Sequence, residues 1–278
     1  ERYAREESEP VRSSFNLSWN SVVNLLQRNE ESQIRTLVEK SFLSWHLSRK
    51  SSGDAKRLEQ LEKKGRRSSA EHKEYRRLKK RLEHGPDKVW DVFQAKVSFL
   101  TSVGYLAEDG SFNAGARILQ HAQIAEILVT ELVLSGFFEE LDPPTLFGAL
   151  CVITNELGRH AEWGPRISRE DRQILGAIHE HVEGRIVNQA NEFTGDETTF
   201  GPELLPIGRA WAQGVPLQDI LMDIQSQTDM SGSLITGFRR AKDLCTQLAT
   251  IYRDLPDRHD TLRALVRSVS RDEVEVVG

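Results

Sequence analysis

A mainly α-helical fold is expected for this chain, and three features of its sequence predict it. Apolar residues recur at spacings of three and four along most of its length, the pattern of one buried helical face. Helix-start signals, at Asp142-Pro143, Ser168-Arg169-Glu170-Asp171 and Pro216, stand just ahead of such runs. Strand-like patterning is confined to one stretch around Asp109-Gly110, a strong tight-turn signal.

Taken in order, residues 1–10 form a polar lead-in, and the absence of an initiator Met suggests that they continue from an upstream segment. A helical pattern begins at Ser13 with Leu17, Val22, Val23, Leu25 and Leu26. It resumes through Ile34, Leu37, Val38, Phe42 and Trp45. Between Asp54 and Glu83 the composition changes to 12 basic and 6 acidic residues with few apolar ones. Gly65 can end one helix in the left-handed conformation, and Ser68-Ser69-Ala70-Glu71 can cap the next, so 54–83 reads as a short antiparallel helical hairpin. At about 1.5 Å per residue each arm would reach roughly 15–20 Å into solvent. Gly85-Pro86 closes it, and a helix follows through Val89, Trp90, Phe93, Val97 and Leu100. That helix, the turn pieces 104–112 and the next helix make the pattern of a winged-helix module, assigned to 11–53 and 84–120 with the hairpin inserted.

Residues 121–278 are expected to form a helical bundle. One helix holds Ile124, Ile127, Leu128, Leu132 and Leu134, and another runs from Asp142-Pro143 through Leu146, Leu150 and Ile153. A capped helix from Ser168 carries Ile174, Leu175, Ile178, Val182 and Ile186. Pro216 opens a segment with Leu217, Ile220, Leu221 and Ile224, and a long final helix starts near Ser231 and extends to about 253.

Composition excludes several function classes. Apolar content of 38% with 28% charged residues is that of a folded, helix-rich protein and too apolar for disorder. The formal charge of −5 carries no global basic signal, so any nucleic-acid contact has to be local. No run approaches the length of a membrane span, and no membrane partner is expected. Cys151 and Cys245 sit inside apolar patterns and read as reduced core thiols of a cytoplasmic protein. No phosphate-binding GxxxxGK[ST] loop, GxGxxG or HExxH occurs, so the chain itself carries no catalytic residues and no cofactor. His179-Glu180-His181 places its two imidazoles on nearly opposite sides of a helix. His179 with Glu183 shares a face, but a solvated surface is the simpler reading and no metal site is assigned.

The segment 228–245, TDMSGSLITGFRRAKDLC, is the most informative. Leu234, Phe238, Ala241, Cys245, Leu248 and Tyr252 form a core stripe. Thr236, Arg240, Asp243 and Gln247 repeat on a different, polar face with Arg239 beside them. The same spacing also allows an Arg240–Asp243 ion pair on a merely solvated surface. This segment resembles the signature TDxxEGSLxRxxRRLxELxxQ of the DSHCT domain, the C-terminal helical domain of superkiller-type DExH RNA helicases, exosome cofactors, and of their bacterial relatives. Further stretches are similar to the same family in the same order. Residues 13–26 (SSFNLSWNSVVNLL) resemble the segment after the second motor domain, and Leu100–Arg117 resembles the winged-helix LGYxxxDGxxxxKGRxA. Residues 130–138 (TELVLSGFF) resemble TELxxxGxFxxL, and Trp211-Ala212-Gln213-Gly214 fits WxxG. The chain departs from the pattern at Ser231, where the family has Glu, at Thr236, where it has Arg, and at Ala241, where it has Leu. Where large-arch members carry a barrel on stalk helices, this chain has the hairpin 54–83.

The resemblance implies a ratchet helix lying under a single strand as it leaves an ATPase motor. Arg240, Asp243, Arg239, Thr236 and Gln247 would be its contacts, and the hairpin bases Lys63, Lys64, Arg66, Arg67, Arg76 and Arg77 a second basic surface. It further implies RNA as the strand, two RecA-like motor domains upstream that bind ATP and Mg2+, and RNA-degradation partners. A non-enzymatic adaptor docking proteins through bundle grooves, or a helicase of this family acting on DNA, fits the same residues.

Overall fold

The fold is described from a computed structural model covering residues 17–39, 56–61, 63, 75, 87–154, 167–194, 201–224 and 230–275. It is mainly helical, as expected, with no β-strand among the described residues. Among them, too, no helix is long and apolar enough to cross a membrane. The chain divides into two compact units, Glu1–Ser18 with Leu25–Lys96, and Trp19–Asn24 with Val97–Gly278.

Helix α1 spans Trp19–Arg28, α2 spans Glu31–Glu39 and α3 spans Asp87–Ser102. Of the helical pattern read from Ser13, residues 13–16 lie outside the described residues, Leu17 and Ser18 are not helical, and helix begins at Trp19. A capping contact from far along the sequence closes this start. The Trp19 amide donates to the Glu126 carboxylate at 2.6 Å, which places an anion at the helix N-terminus. In the first unit Ile34, Val38, Leu61, Val89 and Phe93 are buried. Arg35 lies 5.8 Å from the Trp90 ring centroid, and Trp90 stacks on Phe93. Lys96, also buried, donates to the Leu17 carbonyl at 2.6 Å. Of the hairpin 54–83, residues 56–61, 63 and 75 are helical and the remainder, with Phe42 and Trp45, lies outside the described residues.

In the second unit the Asp109-Gly110 signal forms the tight turn it predicts. Gly110 has φ +81° and donates to the Ala107 carbonyl, while Asp109 accepts from the Ser111 amide. Leu106 and Phe112 meet in an isolated antiparallel bridge across this turn. Helix α4 (Ala114–Leu119) follows, then α5 (Glu126–Leu134) and α6 (Pro143–Thr154). From Thr145 onward every residue of α6 is buried, which marks it as the central helix. Helix α7 (Arg169–Val182) starts in a full Ser168–Asp171 capping box. The run read as one helix to Ile186 breaks at Glu183-Gly184, where glycine is the weakest helix former short of proline, and Ile186 belongs to α8 (Arg185–Thr194).

Helix α9 (Leu204–Ala212) packs hardest on α6. A Cβ at Gly148 would fall on the Leu205 carbonyl oxygen, and one at Gly208 would lie 2.7 Å from the Cys151 sulfur. Only glycines let the two backbones approach this closely. Asp171 of α7, Thr145 of α6 and Arg209 of α9 close a polar cluster at this crossing. Arg209 donates to Asp171 at 2.5 Å and to Thr145 at 3.0 Å. Helix α10 (Leu217–Ile224) follows Pro216, and α11 (Ser231–Ile251) is the long helix. The chain then turns and enters α12 (Pro256–Val269), whose first residue is a proline in the position where a missing N–H costs nothing.

Candidate functional site

Helix α11 is fixed from within. Leu234, Phe238, Ala241, Cys245, Leu248 and Tyr252 are all buried, so the core stripe read from their spacing faces inward. Phe238 stacks on Trp211 of α9, with centroids 4.9 Å apart and planes 17° apart, and lies 6.3 Å from Phe147 of α6. The α12 side is tied by His259, whose Nδ1 is 2.8 Å from the Ala249 carbonyl oxygen. Burial pushes the Cys245 thiol up to about 12 and the Cys151 thiol up as well, so both are inert apolar fillers.

The outward side carries the polar residues that the sequence singled out. Thr236, Arg239, Arg240 and Asp243 are exposed. The ion pair that spacing permits between Arg240 and Asp243 is not formed, and Arg240 makes no hydrogen bond or salt bridge among the described residues. Thr236 donates its hydroxyl back to the Gly232 carbonyl at 2.8 Å, so its donor is committed to the backbone. Gln247 is differently placed: it is half-buried, and its Oε1 accepts from the Gln123 amide at 2.8 Å, tying α11 to the segment before α5. Thr246 and Thr250 occupy the exposed row instead, each with its hydroxyl turned back on a carbonyl one turn earlier. Their signal was present in the sequence. From Asp243 onward, spacings of three, then four, follow the outer face as well as the spacing of four that led to Gln247.

The hairpin bases are only partly described. Lys63 is exposed and pairs with Glu59 one turn before it at 2.6 Å, a surface interaction worth little. Lys64, Arg66, Arg67, Arg76 and Arg77 lie outside the described residues. His179 and Glu183 are exposed on α7 and its cap, and no group of three or more metal-ligating side chains assembles among the described residues.

In the polar cluster at the α6–α9 crossing, Asp171 is buried, yet its carboxyl is held below the usual carboxylate range. Burial alone would raise it, and the hydrogen bonds from Ser168 and Arg209 outweigh that effect. Arg271, beyond α12, lies over the Trp211 ring at 3.5 Å from its centroid. Neither contact was read from the sequence.

Helix α11 is thus buried on one side against α6, α9 and α12 and carries exposed polar residues on the other. The chain belongs to the DSHCT (NUC185) domain family, whose pattern matches residues 113–276, from the residue before α4 to just past the last described residue. The chain is also similar to the ATP-dependent RNA helicase mtr4 of Schizosaccharomyces pombe (strain 972 / ATCC 24843). The two are 24% identical over 165 residues, 57% of this chain and 14% of that protein.

Proposed function

We propose that this chain is the strand-guiding region of an ATP-dependent RNA helicase, with α11 serving as the helix over which single-stranded RNA slides on leaving the motor. Membership of the DSHCT family and the likeness to an ATP-dependent RNA helicase support the class. The exposed row of α11 on an immobilised core supports the site, and Arg240, exposed without a hydrogen-bond or salt-bridge partner among the described residues, is the observation that carries it.

In this reading Arg240 and Arg239 take phosphates or stack on bases, and Asp243 accepts from ribose hydroxyls or base edges. Thr236 contributes a small polar shelf whose donor is already committed to the backbone. Gln247 serves chiefly to seat the helix on residues 120–125. Because each contact is single and charge-based, the grip is weak and independent of sequence, as a moving strand requires. The basic residues of 54–83 supply a second surface of the same character. ATP and Mg2+ act in RecA-like domains outside this chain, the winged-helix module 11–53 with 84–120 rests on those domains, and the assembly works beside RNA-degrading partners in the cytoplasm.

Fluorescence anisotropy of the chain with fluorescein-labelled oligouridylate and oligothymidylate 20-mers, over a range of salt, tests the site. Loss of one phosphate contact in Arg240→Ala reduces the slope of log affinity against log salt by about 0.7 for a single strand. An Arg240→Ala protein that folds normally and keeps the parental affinity and slope refutes the assignment. Preference for the deoxy strand would make the substrate DNA.

A further inference from the structure

Resting on the reading of α11 as a strand guide, we infer that the turn after α12, through Arg271, sets the rotation of α11 and so aims Arg240; Arg271 is a positioning residue of the guide. The Arg271 guanidinium lies 3.5 Å from the Trp211 centroid, and the Phe238 ring stacks on the same indole at 4.9 Å. Two flat groups that close to one ring cannot share a face without overlapping, so Trp211 is held between them. The tryptophan cannot slip out sideways either, since its indole N–H donates to the Val269 carbonyl at 3.1 Å.

Arg271 does more than stack. Its Nη2 donates to the Trp211 carbonyl at 3.0 Å and to the Val215 carbonyl at 2.6 Å, closing the C-terminus of α9 with a cation. Its Nη1 meets the Asp272 carboxylate at 3.0 Å, and Asp272 takes a left-handed φ of +49°, which reverses the chain. That reversal delivers Val274, fully buried, to α11, where Lys242 Nζ donates to the Val274 carbonyl at 3.3 Å.

The stretch 271–274 therefore holds α11 at Phe238 through Trp211 and at Lys242 directly. Arg239 and Arg240 lie between those two holds. Side-chain tips stand about 5–6 Å from a helix axis, so a rotation of about 15° carries them roughly 1.5 Å. A hydrogen bond tolerates only about 0.5 Å of variation, so such a rotation breaks a phosphate contact without unfolding anything.

The test is a double-mutant cycle on the full chain, read by anisotropy with fluorescein-labelled oligouridylate. Arg271→Lys keeps the charge but loses the planar stack and the forked donation. We expect it to weaken binding about threefold and to lower the salt slope by up to about 0.7, as Arg240→Ala does. In the Arg240→Ala background the same change should alter affinity by less than about 1.5-fold, because the two act through one contact. Lys242→Met, which frees the second hold and leaves the stack alone, should follow the same cycle and decides the matter if Arg271→Lys does not fold. Parental binding by folded Arg271→Lys, or by Lys242→Met where that variant decides, overturns the inference. So does an equal loss with and without Arg240, which would mean that the tail acts on the strand directly or only on general stability. If Arg240→Ala itself leaves binding unchanged, the strand-guide reading fails first and this inference falls with it.

Discussion

Replacing Gly148 with alanine pits two ordinary effects of opposite sign against each other. In a helix interior Gly→Ala gains about 1 kcal/mol from propensity. At Gly148 the added methyl would fall on the Leu205 carbonyl oxygen and within 3.3 Å of the Arg209 amide nitrogen, both backbone atoms of α9. Neither can rotate away as a side-chain tip could, so the cost belongs at or beyond the upper end of the usual overpacking range, about 3 kcal/mol. The net is a loss of roughly 2 kcal/mol. At about 2–4 °C per kcal/mol for a unit of this size, Tm should fall by about 4–8 °C. Gly176 in α7 supplies the control, because a Cβ there meets nothing within 4 Å. Gly176→Ala should raise Tm by about 2–4 °C through propensity alone. Thermal unfolding followed by far-ultraviolet circular dichroism measures both. A Gly148→Ala protein at or above the parental Tm would show that α6 and α9 do not cross at backbone contact.

Two other outcomes test the core and its polar cluster. Phe238→Ala should destabilise by about 3–5 kcal/mol in chemical denaturation, since it empties the space between Trp211 and Phe147, whereas Arg240→Ala on the outer row should stay within about 0.5 kcal/mol of the parent. Asp171→Asn should lower Tm most near neutral pH. The folded carboxyl titrates below its ordinary value of about 3.9, so its contribution is complete above that pH and disappears as pH falls through the folded pKa. The Tm gap between parent and variant should therefore narrow on acidification, and a gap that stays constant down to strongly acid pH contradicts the Arg209–Asp171 contact.

Local signals carried much of this fold. The stripe from Leu234 to Tyr252 turned inward as its spacing required, Ser168 capped α7, and Asp109-Gly110 turned the chain. What escaped the sequence is long-range. Glu126 caps α1 from 107 positions away, Arg209 reaches Asp171 across 38, and Arg271 reaches the Trp211 carbonyl across 60. Periodicity states which face of a helix is buried; it cannot state what the face meets. The short helix α9 was equally hard to read, because Pro206 stands inside it, tolerated only because the first turn has no intrahelical use for that N–H. The polar row of α11 was legible only in its first half. At 3.6 residues per turn, steps of three and of four part company over a helix of 21 residues. One branch from Asp243 runs to exposed Thr246, the other to half-buried Gln247.

That divergence bears on how the outer row can work. Gln247 is engaged by the Gln123 amide, and the hydroxyls of Thr236, Thr246 and Thr250 are turned back on their own helix. Of the polar side chains on this side, the charged Arg240 and Asp243 make no hydrogen bond or ion pair among the described residues and keep the bonding capacity to meet something outside. They cluster within about one turn, on the part of α11 flanked by the stacked Phe238 and the Lys242–Val274 contact. Uniform rigidity would not require this coincidence. The proposed guide does, since a charge aimed at a passing phosphate is useful only if the backbone beneath it does not turn. The exposed Arg240 and Asp243 thus rise from the stretch of α11 held at Phe238 and at Lys242 by residues distant in sequence.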